Sequence, residues 1–205
     1  MAVTTDRRTQ RERVDAMRGR LLDATIECLV EKGYGAMSTN DVVRRAGVSR
    51  GALAHHFPTR TALVVAAAER LLEQGSVEFR AIFLALPPRK RTLAHALDLL
   101  WSYYEGPTFV AFLELIMAAR TDPELREVLA DGPSQFSAAV YEVFIELFPH
   151  IAENPAAEQL VHATLALLAG LALQTIVDGD RHGQHAAVRD LVKSLGGLVV
   201  PGEPG

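Results

Sequence analysis

Two short helices joined by a tight turn are predicted for residues 38–57, STNDVVRRAGVSRGALAHHF. Ser38 suits the N-cap of the first helix, because its hydroxyl can accept a hydrogen bond from an amide of the first turn. Gly47 stands where that helix must stop, since glycine adopts positive φ without strain. Ser49 can cap the second helix, predicted for residues 50–56. This arrangement is the helix-turn-helix pattern, whose second helix enters the major groove of DNA.

The residues around this pattern resemble the amino-terminal domain of TetR-family transcriptional regulators over residues 18–70. The matches fall in a first helix, in both helices of the pair and in the turn after them. They are Leu21, Leu22, Ala24, Gly33, Tyr34, Ser38, Thr39, Ala46, Gly47, Val48, Ser49, Gly51, Leu53, His55, Phe57, Ala62 and Leu63. The chain departs from the family at Ala54, where the family often has a tyrosine that touches the DNA backbone or a thymine methyl group.

The resemblance implies an all-α protein that binds DNA through its amino-terminal part. The helix-turn-helix DNA-binding domain is expected over residues 18–62, and a helical effector-binding and dimerisation domain over residues 63–200. Residues 201–205 are expected to be a disordered tail. Residues 1–17 are expected to form a basic flexible arm, which is either a solvated tail or an arm that follows the phosphates or enters the minor groove.

Beyond residue 59, the apolar pattern predicts helices and no convincing strand. Proline and glycine mark most of the predicted ends. The expected helices span about 61–86, 92–104, 108–119, 122–148 with an interruption at 132–133, 155–177 and 184–198.

By motif match, the residues that face DNA lie at the start of the first helix of the pair, along the second helix and just after it. They are Thr39, Asn40, Ser49, Arg50, Gly51, Ala52, Ala54, His55, His56 and Arg60. Arg50 is the expected base reader, because a bidentate guanidinium contact with guanine is the commonest specific contact. Arg60 is expected on a phosphate, whereas Leu53 and Phe57 are expected to hold the second helix to the scaffold. The expected partner is double-stranded DNA with a palindromic operator.

The charge distribution agrees with binding to DNA at one end of the chain. Residues 1–60 carry eleven Arg and Lys against seven Asp and Glu, and the remaining residues carry ten against eighteen. A positively charged region gains affinity for DNA by releasing counterions, whereas an acidic region would repel the phosphates. The amino-terminal part is therefore the expected site of contact with DNA.

Two other classes of protein compete with this interpretation. Residues 47–51, GVSRG, match the G-x-S-x-G motif of α/β-hydrolases, in which Ser49 would be the nucleophile. That motif needs a buried strand before it, but residues 40–45 have the one-sided pattern of a helix. A ligand-binding protein that has lost its affinity for DNA is the other alternative.

A homodimer is expected from the last two helices. The helix at 155–177 is apolar on nearly every side, which is typical of a helix buried all round. The resemblance implies that it pairs with the last helix and with the same helices of a second subunit in a four-helix bundle. The alternative is the central core helix of a monomer. The residues expected at the dimer interface are Ala163, Leu167, Gly170, Leu171, Gln174, Val188, Leu191 and Leu195.

A ligand site is expected where aromatic residues cluster in the middle of the chain, because the resemblance implies an effector pocket there. Tyrosine and tryptophan keep a polar atom that seeks a partner when buried, so an amphipathic small organic effector is the expected ligand. The alternative is that these residues form ordinary core. The expected ligand-binding residues are Trp101, Tyr104, Phe109, Phe112, Met117, Phe136, Tyr141 and Phe144.

No cofactor, metal or catalytic activity is expected. Asp178, Asp180, His182 and His185 lie between two helices and match no zinc spacing, so they are expected to form a solvated connection. No phosphate-binding glycine loop, dinucleotide fingerprint or catalytic carboxylate pair is present. The single cysteine, Cys28, falls on the apolar side of the first helix and is expected to be a packed thiol rather than a redox sensor.

A cytoplasmic protein is expected. The amino-terminal end is charged and lacks the apolar segment of a signal peptide. The longest uninterrupted apolar run, residues 165–173, is shorter than the roughly 18 residues that a transmembrane helix needs. No contact with a membrane is therefore expected.

Overall fold

The computed structural model describes the backbone of residues 3–180 and 183–199, and all regular secondary structure in these ranges is helical. Side chains are described for residues 12–194, apart from those of residues 76, 78, 88, 150, 181 and 182. The predicted all-α fold is confirmed. The expected tail at 201–205 lies outside the described residues.

Ten α-helices and two short 3-10 helices make up the described part of the chain. The 3-10 helices are Pro88–Lys90 and Pro149–Glu153. The α-helices are α1 (Val3–Ala36), α2 (Thr39–Ala46), α3 (Arg50–His56), α4 (Arg60–Leu84), α5 (Leu93–Tyr104), α6 (Pro107–Ala119), α7 (Pro123–Leu129), α8 (Gly132–Leu147), α9 (Ala157–Asp178) and α10 (Gln184–Val199).

Several expected helix ends shift by a few residues, and proline explains two of the differences. The helix expected over 122–148 is two helices, α7 and α8, and Pro133 lies in the first turn of α8. Proline is tolerated there because the first amides of a helix have no intrahelical acceptor. The expected helix at 155–177 begins two residues later, at Ala157, after the 3-10 helix that starts at Pro149.

Helix α1 is longer than expected and takes in most of the predicted arm. The backbone of residues 3–17 is helical and continuous with the scaffold helix, which differs from the predicted separate arm. No glycine or proline interrupts the segment before Gly19, and Arg, Gln, Glu, Ala and Met are strong helix formers. At its other end, α1 is interrupted by Gly33, which has φ 73° and ψ 164°.

The chain divides into two compact units. Unit 1 comprises Met1–Leu72 and Val110–Ala130, and unit 2 comprises Glu73–Phe109 and Asp131–Gly205. This division differs from the expected boundary after residue 62. The difference arises because the apolar face of early α4, including Leu63, Ala67 and Leu71, packs in the same core as α1 to α3, and Leu115 and Leu125 join that core.

Helix α9 has the length and composition of a membrane span. Its most apolar 18-residue window has a mean hydropathy of 1.9, and no other described helix meets the same criterion. The uninterrupted apolar run at 165–173 is shorter than a membrane span, but few charged residues flank it within α9, so the longer window still qualifies. The absence of contact with a membrane stays a prediction.

Candidate functional site

The helix pair at residues 38–57 has the local geometry that its sequence predicts. Ser38 Oγ accepts from the Asp41 amide at 3.3 Å, and the Ser38 amide donates to Asp41 Oδ2 at 3.1 Å. These reciprocal bonds form a capping box at the start of α2. Gly47 ends α2 with φ 63°, and Ser49 Oγ accepts from the Ala52 amide at 3.1 Å at the start of α3. The predicted helix-turn-helix is therefore confirmed.

The same geometry argues against a hydrolase. Ser49 follows a helix, α2, and not the buried strand that a nucleophile elbow requires. Its hydroxyl is engaged as a helix cap with the Ala52 amide.

Charged side chains tie α2 to α1. Lys32 Nζ lies 2.5 Å from Asp41 Oδ1, and Arg44 pairs with the same carboxylate. Arg45 donates to Glu31 and to Glu27, the latter at 3.0 Å. The hydrogen bonds from Lys32 and Ser38 hold the pKa of the Asp41 carboxyl well below its usual range. Because these groups lie at the surface, the pairs orient α2 more than they stabilise it.

We expect Ser38→Ala to lower the free energy of unfolding by about 1 kcal/mol, because it removes the acceptor of the α2 cap. Urea unfolding at neutral pH measures this change. The matched control is Asn40→Ala, which removes an exposed polar side chain from the same helix turn without removing the cap. Equal losses for the two variants would contradict a capping role.

A second expectation concerns Asp41 and pH. Since the pKa of Asp41 is lower in the folded protein than in the unfolded chain, its stabilisation is present above the unfolded pKa of about 4. That stabilisation is lost as the pH falls through the folded pKa. The difference in unfolding free energy between wild type and Asp41→Asn should therefore shrink below about pH 4. A difference that grows with acidity would contradict this assignment.

Helix α3 presents one side to solvent and buries the other. Leu53 and Phe57 lie in the core of unit 1, as predicted, with exposed fractions of 7% and 4%. The residues predicted to face DNA lie on the remaining surface of the pair. Asn40, Ser49, Arg50, Gly51, Ala54 and His55 are exposed, and Thr39, Ala52, His56 and Arg60 are half-buried.

Arg60 has intramolecular contacts at the start of α4. Its guanidinium carbon lies 4.2 Å from the centre of the Tyr34 ring, and Nη2 donates to the Tyr34 carbonyl oxygen. A guanidinium has five N–H donors, so this bond leaves others for a phosphate. The contact orients Arg60, and its role on a phosphate stays a prediction.

Cys28 is packed in the core of unit 1 with 1% of its surface exposed. Burial raises the pKa of its thiol. The expected packed thiol is therefore confirmed, and a raised pKa disfavours the reactive thiolate.

Unit 2 contains a cavity of about 250 Å³. Phe144 is the one member of the predicted ligand set that lines it. The sequence analysis missed the rest of the lining, because aliphatic residues around a cavity have the same periodicity as those of a filled core. The lining residues are Leu93, Leu97, Leu100, Val140, Phe144, Ile151, Asn154, Ala157, Leu160, Val161, Thr164, Leu165 and Val192.

Three of the predicted ligand residues pack in aromatic pairs instead. Phe136 stacks on Tyr103 with ring centres 4.9 Å apart, and Tyr104 meets Phe109 edge-to-face at 4.9 Å. Such pairs stabilise a core beyond the area that they bury. The predicted aromatic pocket stays a prediction, and the cavity that the structure shows in unit 2 is lined mainly by aliphatic residues.

The other predicted ligand residues also lie away from this lining. Trp101 is buried beneath the guanidinium of Arg189, whose carbon lies 4.0 Å from the ring centre. Tyr141 is half-buried. Phe112 and Met117 belong to unit 1, and 65% of Met117 is exposed.

The cavity lining is almost entirely apolar. Among the side chains that the structure describes, the lining includes no charged group, and its two polar side chains already make one hydrogen bond each. Asn154 Oδ1 accepts from the Ala156 amide at 2.9 Å, and Thr164 Oγ1 donates to the Leu160 carbonyl at 2.8 Å. The Asn154 amide nitrogen can still donate and the Thr164 oxygen can still accept.

An apolar stripe of α9 faces solvent in the single chain. Leu160, Ala163, Leu167, Gly170, Gln174 and Val177 are exposed and recur at three- or four-residue intervals, which places them on one face of a helix. Leu173 and Ile176 of α9 are also more than half exposed, as is Leu191 of α10.

Two of the predicted interface residues fit this surface less well. Leu171 lies four residues after Leu167, at the edge of the stripe, but it is packed within its own unit with 7% of its surface exposed, so its place at the interface stays a prediction that this burial does not favour. Val188 is half-buried, and the side chain of Leu195 lies outside the described residues.

The connection between α9 and α10 is held by hydrogen bonds. Asp180 accepts from the His185 and Ala186 amides at 2.9 and 3.1 Å and so caps α10. His185 is buried and its Nδ1 lies 2.9 Å from Thr175 Oγ1. Among the side chains that the structure describes, no group of three or more metal-ligating residues comes together. His182 lies outside that set.

Both the amino-terminal and the carboxyl-terminal part of the chain match known families. Residues 21–67 match the family of bacterial regulatory proteins, tetR family, and residues 87–198 match the tetracyclin repressor-like C-terminal domain. The chain belongs to the TetR family. It is therefore a DNA-binding transcriptional regulator and not an enzyme.

Several HTH-type transcriptional regulators are similar to this chain. The HTH-type transcriptional regulator CymR of Pseudomonas putida is 42% identical over 121 residues, which cover 59% of this chain and 60% of CymR. An uncharacterised HTH-type transcriptional regulator of Mycobacterium bovis is 33% identical over 172 residues, which cover 84% of each chain.

Solved structures of transcriptional regulators share the fold. One from Rhodococcus sp. has a TM-score of 0.68 and 23% identity, covering 91% of this chain and 99% of that chain. Another, from Saccharomonospora viridis in complex with choline, has a TM-score of 0.68 and 17% identity, covering 88% and 95%. At these identities the likeness concerns the fold alone.

Proposed function

We propose that this protein is a homodimeric repressor that binds a palindromic operator and is released by a small ligand bound in unit 2. The observation that carries the proposal is the surface of α3, which exposes Arg50 and His55 while Leu53 is buried. A dimer that occupies an operator excludes other proteins from the same DNA, so repression needs no further surface. Selection of bound fragments from the source genome, followed by a reporter assay, tests the proposal.

The residues predicted to contact DNA fall into two groups. One group reads base edges, and the other positions the protein on the phosphates. Capped α3 is short, so its exposed residues Arg50, Gly51, Ala54 and His55 can approach base edges together. Thr39, Asn40, Ser49 and Arg60 flank it and are suited to phosphates. Ala52 and His56, which are half-buried, border the same surface.

Arg50→Ala should weaken operator binding by about 1 to 3 kcal/mol and relax the preference at one base pair of each half-site. Arg60→Ala is the matched control, because loss of a phosphate contact should weaken binding to all sequences alike and flatten the salt dependence. Binding to a set of single-base operator variants at two salt concentrations measures both effects. Equal, sequence-independent losses for the two variants would contradict base reading by Arg50.

The proposed dimer uses the exposed apolar stripe of α9 together with α10. A Cβ atom added at Gly170 would meet nothing within 4 Å, so this point of the stripe is open to close approach by a second helix. A two-fold axis would bring the same stripe of the partner against it. The resulting burial explains the membrane-like composition of α9 without a membrane, and a cytoplasmic location follows because the DNA is there.

The cavity favours an uncharged, largely apolar ligand with one hydrogen-bonding group. A charged ligand would lose its hydration without a charged partner among the described lining residues. A quaternary ammonium such as choline, present in the structural relative from Saccharomonospora viridis, is usually held by several aromatic faces. Phe144 is the one aromatic residue among the lining residues that the structure describes. A one-ring or two-ring alcohol or amide fits these constraints.

A ligand-binding protein without affinity for DNA is the competing function. It predicts that no genomic fragment is enriched by the purified protein, whereas ligand binding is retained. Enrichment of fragments that share an inverted repeat would exclude it.

A further inference from the structure

We infer that Glu114 of α6 is a positioning residue for DNA binding, because its carboxylate holds the end of α1 beside the helix-turn-helix. Glu114 and the residues that it contacts all belong to unit 1. Glu114 Oε2 accepts from the Tyr34 amide at 2.7 Å, across 80 positions of the sequence. No feature of the local sequence predicts this bond.

The conformation of Gly33 explains why the Tyr34 amide is free to donate a hydrogen bond to Glu114. The positive φ of Gly33 takes the backbone off the helical path, and a new turn starts with the bond from the Met37 amide to the Gly33 carbonyl at 3.1 Å. The Tyr34 amide lies at the start of this turn, where amides lack an intrahelical acceptor. A carboxylate is the favoured partner at such a position.

The Glu114 carboxylate also lies close to Gly33. A Cβ atom added to Gly33 would lie 2.9 Å from Glu114 Oε2 and 3.2 Å from its carboxyl carbon. Glycine is favoured at this position by its φ of 73°, and a side chain here would push the end of Glu114 away from the Tyr34 amide. This close packing leaves Glu114 little freedom to move without releasing Tyr34.

Tyr34 connects Glu114 to Arg60, which lies just after the recognition helix α3. Its amide is bound by Glu114, while its carbonyl oxygen accepts from Arg60 and its ring lies beneath the Arg60 guanidinium. Arg60 is the first residue of α4 and lies four positions after His56, the last residue of α3. Without Glu114, a smaller fraction of molecules would hold α3 and Arg60 in the arrangement that binds DNA. The apparent affinity for DNA would fall in proportion to the fraction that remains in this arrangement.

The test compares Glu114→Leu, Glu114→Gln and Glu114→Asp in the full-length protein. The DNA probe is the duplex that the wild-type protein selects from a random library, and hydrogen exchange of the Tyr34 amide reports on the bond itself. We expect Glu114→Leu to lose protection at Tyr34 and to bind the duplex about tenfold more weakly. Glu114→Gln keeps an acceptor oxygen and should retain both properties. Glu127→Leu, an exposed site on α7 of the same unit, is the matched control and should behave as wild type.

Glu114→Asp covers the case in which the leucine variant does not fold. It keeps the charge but draws the carboxylate back by one methylene, so it too should lose the Tyr34 bond and affinity for DNA. Loss of Tyr34 protection with unchanged affinity in a folded variant would reduce Glu114 to a purely structural residue. Unchanged protection in Glu114→Leu, or an equal loss of affinity in Glu127→Leu, would also overturn the inference.

Discussion

Leu167→Glu should convert the protein from a dimer into a monomer and abolish tight binding to a palindromic operator. Leu167 is 40% exposed in the single chain and lies in the middle of the apolar stripe of α9. In a two-fold interface each substitution occurs twice, so two glutamates would be buried near each other. Burying unpaired charge costs several kcal/mol, which corresponds to a dimer dissociation constant raised more than about a hundredfold. A monomer then loses half of the operator contacts.

Sedimentation and operator binding measure this effect on the same sample. Ile82→Glu is the matched control, since Ile82 is 56% exposed on α4 and lies outside the stripe. Leu171→Glu is unsuitable, because Leu171 is buried within its own unit and a charge there would unfold it. A Leu167→Glu variant that stays dimeric and binds the operator would place the interface elsewhere.

Ala157→Phe should make the protein insensitive to the proposed ligand while leaving operator binding intact. Ala157 is 3% exposed and lines the cavity of unit 2. A phenyl group there takes up space that the ligand needs, so ligand affinity should fall by at least about tenfold. The operator should then remain occupied at ligand concentrations that release the wild-type protein.

Fluorescence of Trp101 provides the measurement. Trp101 is the only tryptophan of the chain, and its neighbour Leu100 lines the cavity. A library of uncharged one-ring and two-ring alcohols and amides is screened against the wild-type protein. The compound that binds best is then titrated into the wild type, into Ala157→Phe and into a control variant. Ala138→Phe, at an exposed site of α8, is the matched control and should respond as wild type.

Coupling supplies an independent check on the same titration. Whatever factor the ligand imposes on operator affinity, the operator must impose on ligand affinity. Saturating operator should therefore raise the ligand concentration that half-saturates the Trp101 signal. If this concentration is unmoved while DNA binding is intact, unit 2 serves dimerisation and the protein is not a ligand-released repressor.

The helix-turn-helix was predictable from the sequence because its determinants are local. Ser38, Gly47 and Ser49 each act on amides or carbonyls within a few residues of themselves, so the residue types and their spacing suffice. The family resemblance has the same origin, since these positions recur wherever this turn is built. The all-α class follows from the helical periodicity of the remaining residues.

Only the tertiary structure decided which apolar residues face a cavity, a core or solvent. Periodicity assigned Leu167 and Leu171 alike to the interface, but the first is exposed and the second is buried. Phe136 and Phe144 were likewise equivalent in sequence, yet only Phe144 lines the cavity. The bond from the Tyr34 amide to Glu114 depends on the packing of α6 against the end of α1. Such features arise from contacts between residues far apart in the chain, whose pairing a local pattern does not encode.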